Sequence, residues 1–104
     1  MEYILVLCTI NDMNKAKEIS GKLVREKLAA CVNIIPKISS IYFWKDEIVE
    51  DEEYLMLIKT KNILFDELKQ RIIELHPYEV AEVVSLKIDN GSKAYLEWIG
   101  NSTK

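Results

Sequence analysis

The chain is poor in the residues that mark the commoner chemistries. Among 104 residues it has one histidine, His76, two cysteines, three glycines and two prolines. With a single histidine, no Ser or Cys beside an evident activating partner and no Gly-rich phosphate loop of either common kind, the inventory for catalysis is thin. The expectation is a protein that is not an enzyme. No apolar run approaches the ~20 residues of a membrane span. The amino-terminal Ile4-Leu5-Val6-Leu7 is short, and Glu2 stands where a signal peptide would carry a basic residue. A cytoplasmic location without a membrane partner is expected. Basic charge is lacking as well: the net charge is −3 and the isoelectric point about 5.2. Nucleic-acid binding rests on clustered Lys and Arg, so such a partner is excluded from the reading. Cys8 and Cys31 are too few for a disulfide framework and are expected to stay reduced.

What is present describes one soluble globular domain over residues 1–104. Hydrophobic residues make up 49% and charged residues 30%. Tyr3 to Thr9 is apolar at nearly every position, the pattern of a strand covered on both faces. Asn11 or Asp12 is placed to cap a helix whose apolar positions Ala16, Ile19, Leu23, Val24 and Leu28 recur at helical spacing up to about Ala29. Gly21 inside that helix points to close packing. Cys31 to Trp44 and Ile48 to Thr60 then read as the arms of a long hairpin joined by Lys45-Asp46-Glu47. Along its first arm Val32, Ile34, Ile38, Tyr42 and Trp44 share one parity, and Ile35, Ile41 and Phe43 the other. Pro36 cannot donate to a ladder and belongs at a bulge or an edge, and Asp46 is the residue at the tip best suited to a left-handed turn conformation. Asn62 is placed to cap a second helix carrying Leu64, Phe65, Leu68, Ile72 and Leu75, which Pro77 ends. A fourth strand runs from about Glu82 to Ile88. Ser92 caps a short last helix that docks through Tyr95, Leu96, Trp98 and Ile99, with Gly100 just past its end.

The order β-α-β-β-α-β with a short carboxy-terminal helix predicts an α+β fold, the ferredoxin-like split βαβ plan. An arm of about 14 residues at roughly 3.3 Å each spans about 46 Å. A chain of this length should measure only about 35 Å across. The arm outreaches its own core, so its outer half is expected to pack on another copy of the chain. Following strand directions through this topology puts Cys8 and His76 at one end of the sheet and Cys31 at the other. A bridge between the two cysteines is therefore not expected.

Cys8 and His76 are the first candidate site, because thiolate and imidazole suit copper or zinc. Such a site requires a deprotonated thiol and a neutral imidazole, and further ligands from Glu79, water or a second subunit. Against it stands the plainer alternative of a small buried residue ending a strand and a helix-terminal histidine held by a proline. The acidic run Glu50-Asp51-Glu52-Glu53 reads as a solvated guard on an exposed hairpin edge, since strand alternation splits its carboxylates between two faces. Trp44, Lys59, Tyr78 and Glu79 are candidates to line a cleft between subunits.

Taken together, Glu26-Lys27-Leu28-Ala29-Ala30-Cys31-Val32-Asn33-Ile34-Ile35-Pro36, Ser40-Ile41-Tyr42 with Trp44, Asp51-Glu52-Glu53, Ile58-Lys59-Thr60, Leu75-His76-Pro77-Tyr78-Glu79 and Tyr95-Leu96 with Trp98-Ile99 resemble the CutA divalent-cation tolerance proteins over nearly the whole chain. The resemblance implies a tight homotrimer with interlocking hairpins, similar in architecture to the PII signalling proteins. It implies a role in tolerance to copper and other divalent metal ions, with copper ligation at the positions of Cys8 and His76. The sequence departs at Leu75, where some members carry a second histidine. It departs also at Lys37 and Asp46, where glycines are common, and at Ala81, where a proline is. The alternative function is a PII-like regulatory trimer that takes a small molecule or a partner protein in its intersubunit clefts.

Overall fold

A computed structural model describes all of Met1–Lys104. Its strands are β1 (Tyr3–Ile10), β2 (Cys31–Trp44), β3 (Glu47–Lys61) and β4 (Val84–Lys87); its helices are α1 (Met13–Arg25), α2 (Phe65–Leu75) and α3 (Lys93–Asn101). The four strands form one sheet in the order β2-β3-β1-β4, and every neighbour is antiparallel. No helix is long and apolar enough to cross a membrane.

Strand alternation sorts the sheet into two faces. Ile4, Val6, Cys8 and Ile10 of β1 and Met56 and Ile58 of β3 point to one side and are buried. They pack against Ala16, Ile19 and Leu23 of α1 and Leu68 and Ile72 of α2 in a single core. The other face, with Leu5, Leu7, Leu55 and Leu57, carries no such layer. On the adjoining edge strand, Val84 and Leu86, which pair with Leu7 and Leu5, are 50% and 58% exposed. The short α3 covers only a lower corner of this face, where Lys59 Nζ lies 5.6 Å over the Tyr95 ring.

Helix ends depart from the periodicity. α1 stops at Arg25, not near Ala29, because Lys27 enters the left-handed region at φ 59°. The Lys27 N–H donates to the Val24 carbonyl at 3.1 Å and the Leu28 N–H to the Leu23 carbonyl at 3.0 Å. That is the Schellman arrangement, with buried Leu28 folded back beside buried Leu23. Asp12 is the N-cap of α1, accepting from the Asn14 and Lys15 N–H groups. Asn62 does not cap α2. A 3₁₀ turn over Asn62–Leu64 intervenes, and the Asn62 side chain donates instead to Glu2 Oε1. Gly21 faces no neighbouring element; a Cβ there would meet only the Arg25 guanidinium, at 3.2 Å. Gly100 lies within the last turn of α3, not past its end, where a Cβ would stand 2.8 Å from the Tyr3 hydroxyl.

The hairpin is the longest feature. β1 pairs with β3 only over Tyr54–Lys61, so Ile38–Trp44 and Glu47–Glu53 project beyond it as an arm, and the molecule measures 44 × 25 × 22 Å. Pro36 lies in edge strand β2 at a bulge between Ile35 and Ile38, where Lys37 takes φ 57°. The bulge adds one residue, and so reverses the relation between parity and face. Ile38, Tyr42 and Trp44 stand on the side of Asn33 and Ile35, not on that of Val32 and Ile34. At the tip the turn is two residues, Lys45 and Asp46, both at positive φ, the conformation that suits the twist of a tight hairpin.

Candidate functional site

The end of the sheet beyond β1 gathers most of the sequence candidates. α2 runs up to Leu75, and Pro77 pulls His76 into an extended conformation, which aims its ring back at the top of β1. His76 Nε2 lies 2.8 Å from the Thr9 carbonyl oxygen, and the Tyr78 N–H lies 3.1 Å from His76 Nδ1. The carbonyl can only accept and the amide can only donate. Nε2 therefore carries the proton and Nδ1 uses its lone pair on Tyr78. Neither nitrogen is left for a metal ion.

Cys8 is equally committed. It has no exposed surface. Burial first, then the charges of Glu82 and Glu53, push its thiol up to about 12. A metal ligand must be a thiolate, so the donor set fits copper poorly as it stands. No three His, Cys, Asp or Glu side chains stand close enough together to share a metal ion. Cys8 and Cys31 are free thiols, with Cys31 far down the sheet beside Lys59.

On the layer-free face, at the root of the arm, lies an open groove of about 730 Å³. Tyr42 and Trp44 form one wall, Tyr78, Glu79 and Glu82 the other, and Glu53 the floor. Three of the four cleft candidates, Trp44, Tyr78 and Glu79, thus come together, whereas Lys59 stands apart, its ammonium bonded to Asn33 Oδ1 at 2.7 Å. Two phenols order the acids. Tyr78 Oη donates to Glu53 Oε2 at 2.6 Å, and Tyr42 Oη donates to Asp51. The first bond ties the loop after α2 to the arm. Burial and then the Glu53 bond raise the Tyr78 phenol, while the Asp51 bond, ahead of burial, pushes Tyr42 up to about 12. Crowding by neighbouring atoms and then the charge of Glu53 raise the Glu82 carboxyl, although it keeps exposed surface. Glu53 is only 4% exposed, so the acidic run is not wholly a solvated guard. The signal for the groove was in the alternation itself, which sets Asp51 and Glu53 on one face opposite Ser40 and Ile38.

With this geometry described, the chain can be set beside known proteins. Residues 4–102 match the model of the CutA1 divalent ion tolerance protein family. The chain belongs to that family. It is 48% identical over 99 residues to the divalent-cation tolerance protein CutA of Thermus thermophilus, covering 95% of this chain and 96% of that one. It is 43% identical over 101 residues to the chloroplastic protein CutA 1 of Oryza sativa, covering 97% of this chain but 57% of the rice protein. The fold is shared with the crystal structure of rice CutA1 at a TM-score of 0.97 and 41% identity, over 100% of this chain and 95% of that one. It is shared with the Thermus thermophilus divalent cation tolerance protein at 0.95 and 46%, over 98% and 99%. CutA membership accounts for the two-layer protomer and its long hairpin.

Proposed function

We propose that this chain serves divalent-cation tolerance as a cytoplasmic homotrimer of ferredoxin-like protomers, binding without catalysis. We propose further that the groove at the root of the arm, not a copper centre on Cys8 and His76, receives its ligand. The observation that carries this choice is His76: both ring nitrogens are engaged, one by the Thr9 carbonyl and one by the Tyr78 amide. Copper ligation there would break a bond on which the loop after α2 depends and would require a thiolate from a sealed thiol. The groove costs no such rearrangement, and it already joins Trp44, Tyr78 and Glu79. Support for the trimer comes from the sheet face without helices and from the projecting arm, surfaces that a second and third copy would cover.

An anaerobic Cu(I) competition titration of the purified oligomer, beside Cys8→Ser and His76→Ala, tests the choice. The expected result is no stoichiometric uptake that depends on either residue. Tight uptake lost in both variants would overturn the groove in favour of the copper centre. Thermal melting across metals and metabolites then identifies what the folded state binds, since such a ligand raises the melting temperature with its concentration.

A further inference from the structure

The groove holds more negative charge than the protein neutralises. Asp51, Glu53, Glu79 and Glu82 all line it, and no Lys, Arg or His does. The ion pairs of the molecule lie elsewhere, on α1 and α2 and at the two termini: Lys15 and Lys22 with Glu18, Lys69 with Asp66, Arg71 with Glu26 and Glu74, Lys87 with Glu2, Lys104 with Glu67. Within the groove only phenols answer the acids. A phenol satisfies a lone pair but leaves the charge in place. Glu53 is the sharpest case, being 4% exposed, with Oε2 bonded to Tyr78 and no hydrogen bond on Oε1. A buried carboxylate without a cation is costly, and a positive ligand removes that cost.

The walls indicate what kind of cation. Trp44, Tyr42 and Tyr78 present aromatic surface, and ring faces attract ammonium groups. Lys45 already uses the outer side of Trp44 in this way, its Nζ 5.8 Å from the ring centroid. A bare divalent ion fits poorly. It seeks six or more oxygens at short range, whereas no three acidic side chains here converge on one point, and it gains nothing from aromatic carbon. A volume of about 730 Å³ suits an organic molecule.

We propose that the groove binds a small organic cation, a protonated amine or quaternary ammonium, whose charge faces Glu53 and Glu82 while its carbon shell packs on Trp44 and Tyr42. This rests on the groove being the ligand surface, and it adds the chemical class of the ligand. Calorimetric titration of the intact oligomer at constant ionic strength tests it, with tetramethylammonium and butylammonium as probes and tert-butanol and butanol as their uncharged counterparts. The expected result is that a charged probe binds about tenfold more tightly than its counterpart, and that Glu53→Gln and Trp44→Leu each weaken it by a similar factor. Glu79→Gln, at an exposed position, gives a second measure of the charge term should Glu53→Gln melt early; a weakening of roughly threefold is expected. Equal binding of charged and uncharged probes overturns the charge assignment and leaves the groove as ligand surface. No binding of any probe overturns the proposal, as does binding that is indifferent to Trp44→Leu and both glutamate variants.

Discussion

Cys8 and Cys31 carry one functional group in opposite surroundings. Cys8 is sealed in the core, with its thiol pushed up to about 12 by burial and by the charges of Glu82 and Glu53. Cys31 keeps part of its surface at the start of β2. At pH 8 only about one Cys8 in ten thousand would be a thiolate even if reagent reached it. Native protein should therefore release colour from a disulfide reagent at no more than one thiol per chain, the second reacting only after denaturant is added. Two fast thiols per chain would show that the core around Cys8 opens readily. Much of this was legible in the sequence. Strand direction alone placed Cys8 and His76 at one end of the sheet and Cys31 at the other. The engagement of the His76 ring was not legible, because its partner Thr9 is 67 positions away and no spacing rule connects a helix end to a particular strand carbonyl.

Elements were legible in their interiors and blurred at their ends, for one physical reason. Side-chain periodicity reports which face is buried, and it therefore found the stripe Ala16, Ile19, Leu23 and the stripe Leu68, Ile72. Ends are set by single backbone conformations, and here these fall on residues that do not advertise them. Lys27 and Lys37 occupy left-handed positions where glycine is the usual marker. Gly21, in turn, is a glycine without a conformational need: it lies inside α1, and only the flexible Arg25 side chain crowds it. Gly21→Ala should stabilise the protein by about 0.5–1 kcal/mol, the helix-propensity difference, as Arg25 swings aside. Urea unfolding followed by circular dichroism reads it. A loss of stability would mean that the Arg25 guanidinium holds its position against the added methyl.

For the whole molecule, the unbalanced sheet is the governing fact. One face meets α1 and α2, while the other carries exposed Val84 and Leu86 on β4 and exposed Ile35 on β2. In the proposed trimer these side chains are covered, and each protomer of 12.1 kDa gives up little of its own core to make the contact. Leu86→Arg should then lower the mass measured by light scattering toward that of a single chain and leave the far-ultraviolet dichroism of the protomer largely intact. A mass unchanged from that of the parent protein would place the subunit contact elsewhere. The arm adds a point about how this chain tolerates change in length. Because the bulge at Pro36 and Lys37 is one residue longer than the partner strand opposite it, Lys37 is a spare position. Removing it would restore an unbroken alternation from Ile35 to Trp44 with every side chain still facing as it does now. Removing any single residue farther along would invert part of the arm. An insertion or deletion in β2 is thus silent or ruinous for the groove according to which side of Ile38 it falls on, and the direction in which the arm leans can be altered while its chemistry is held fixed.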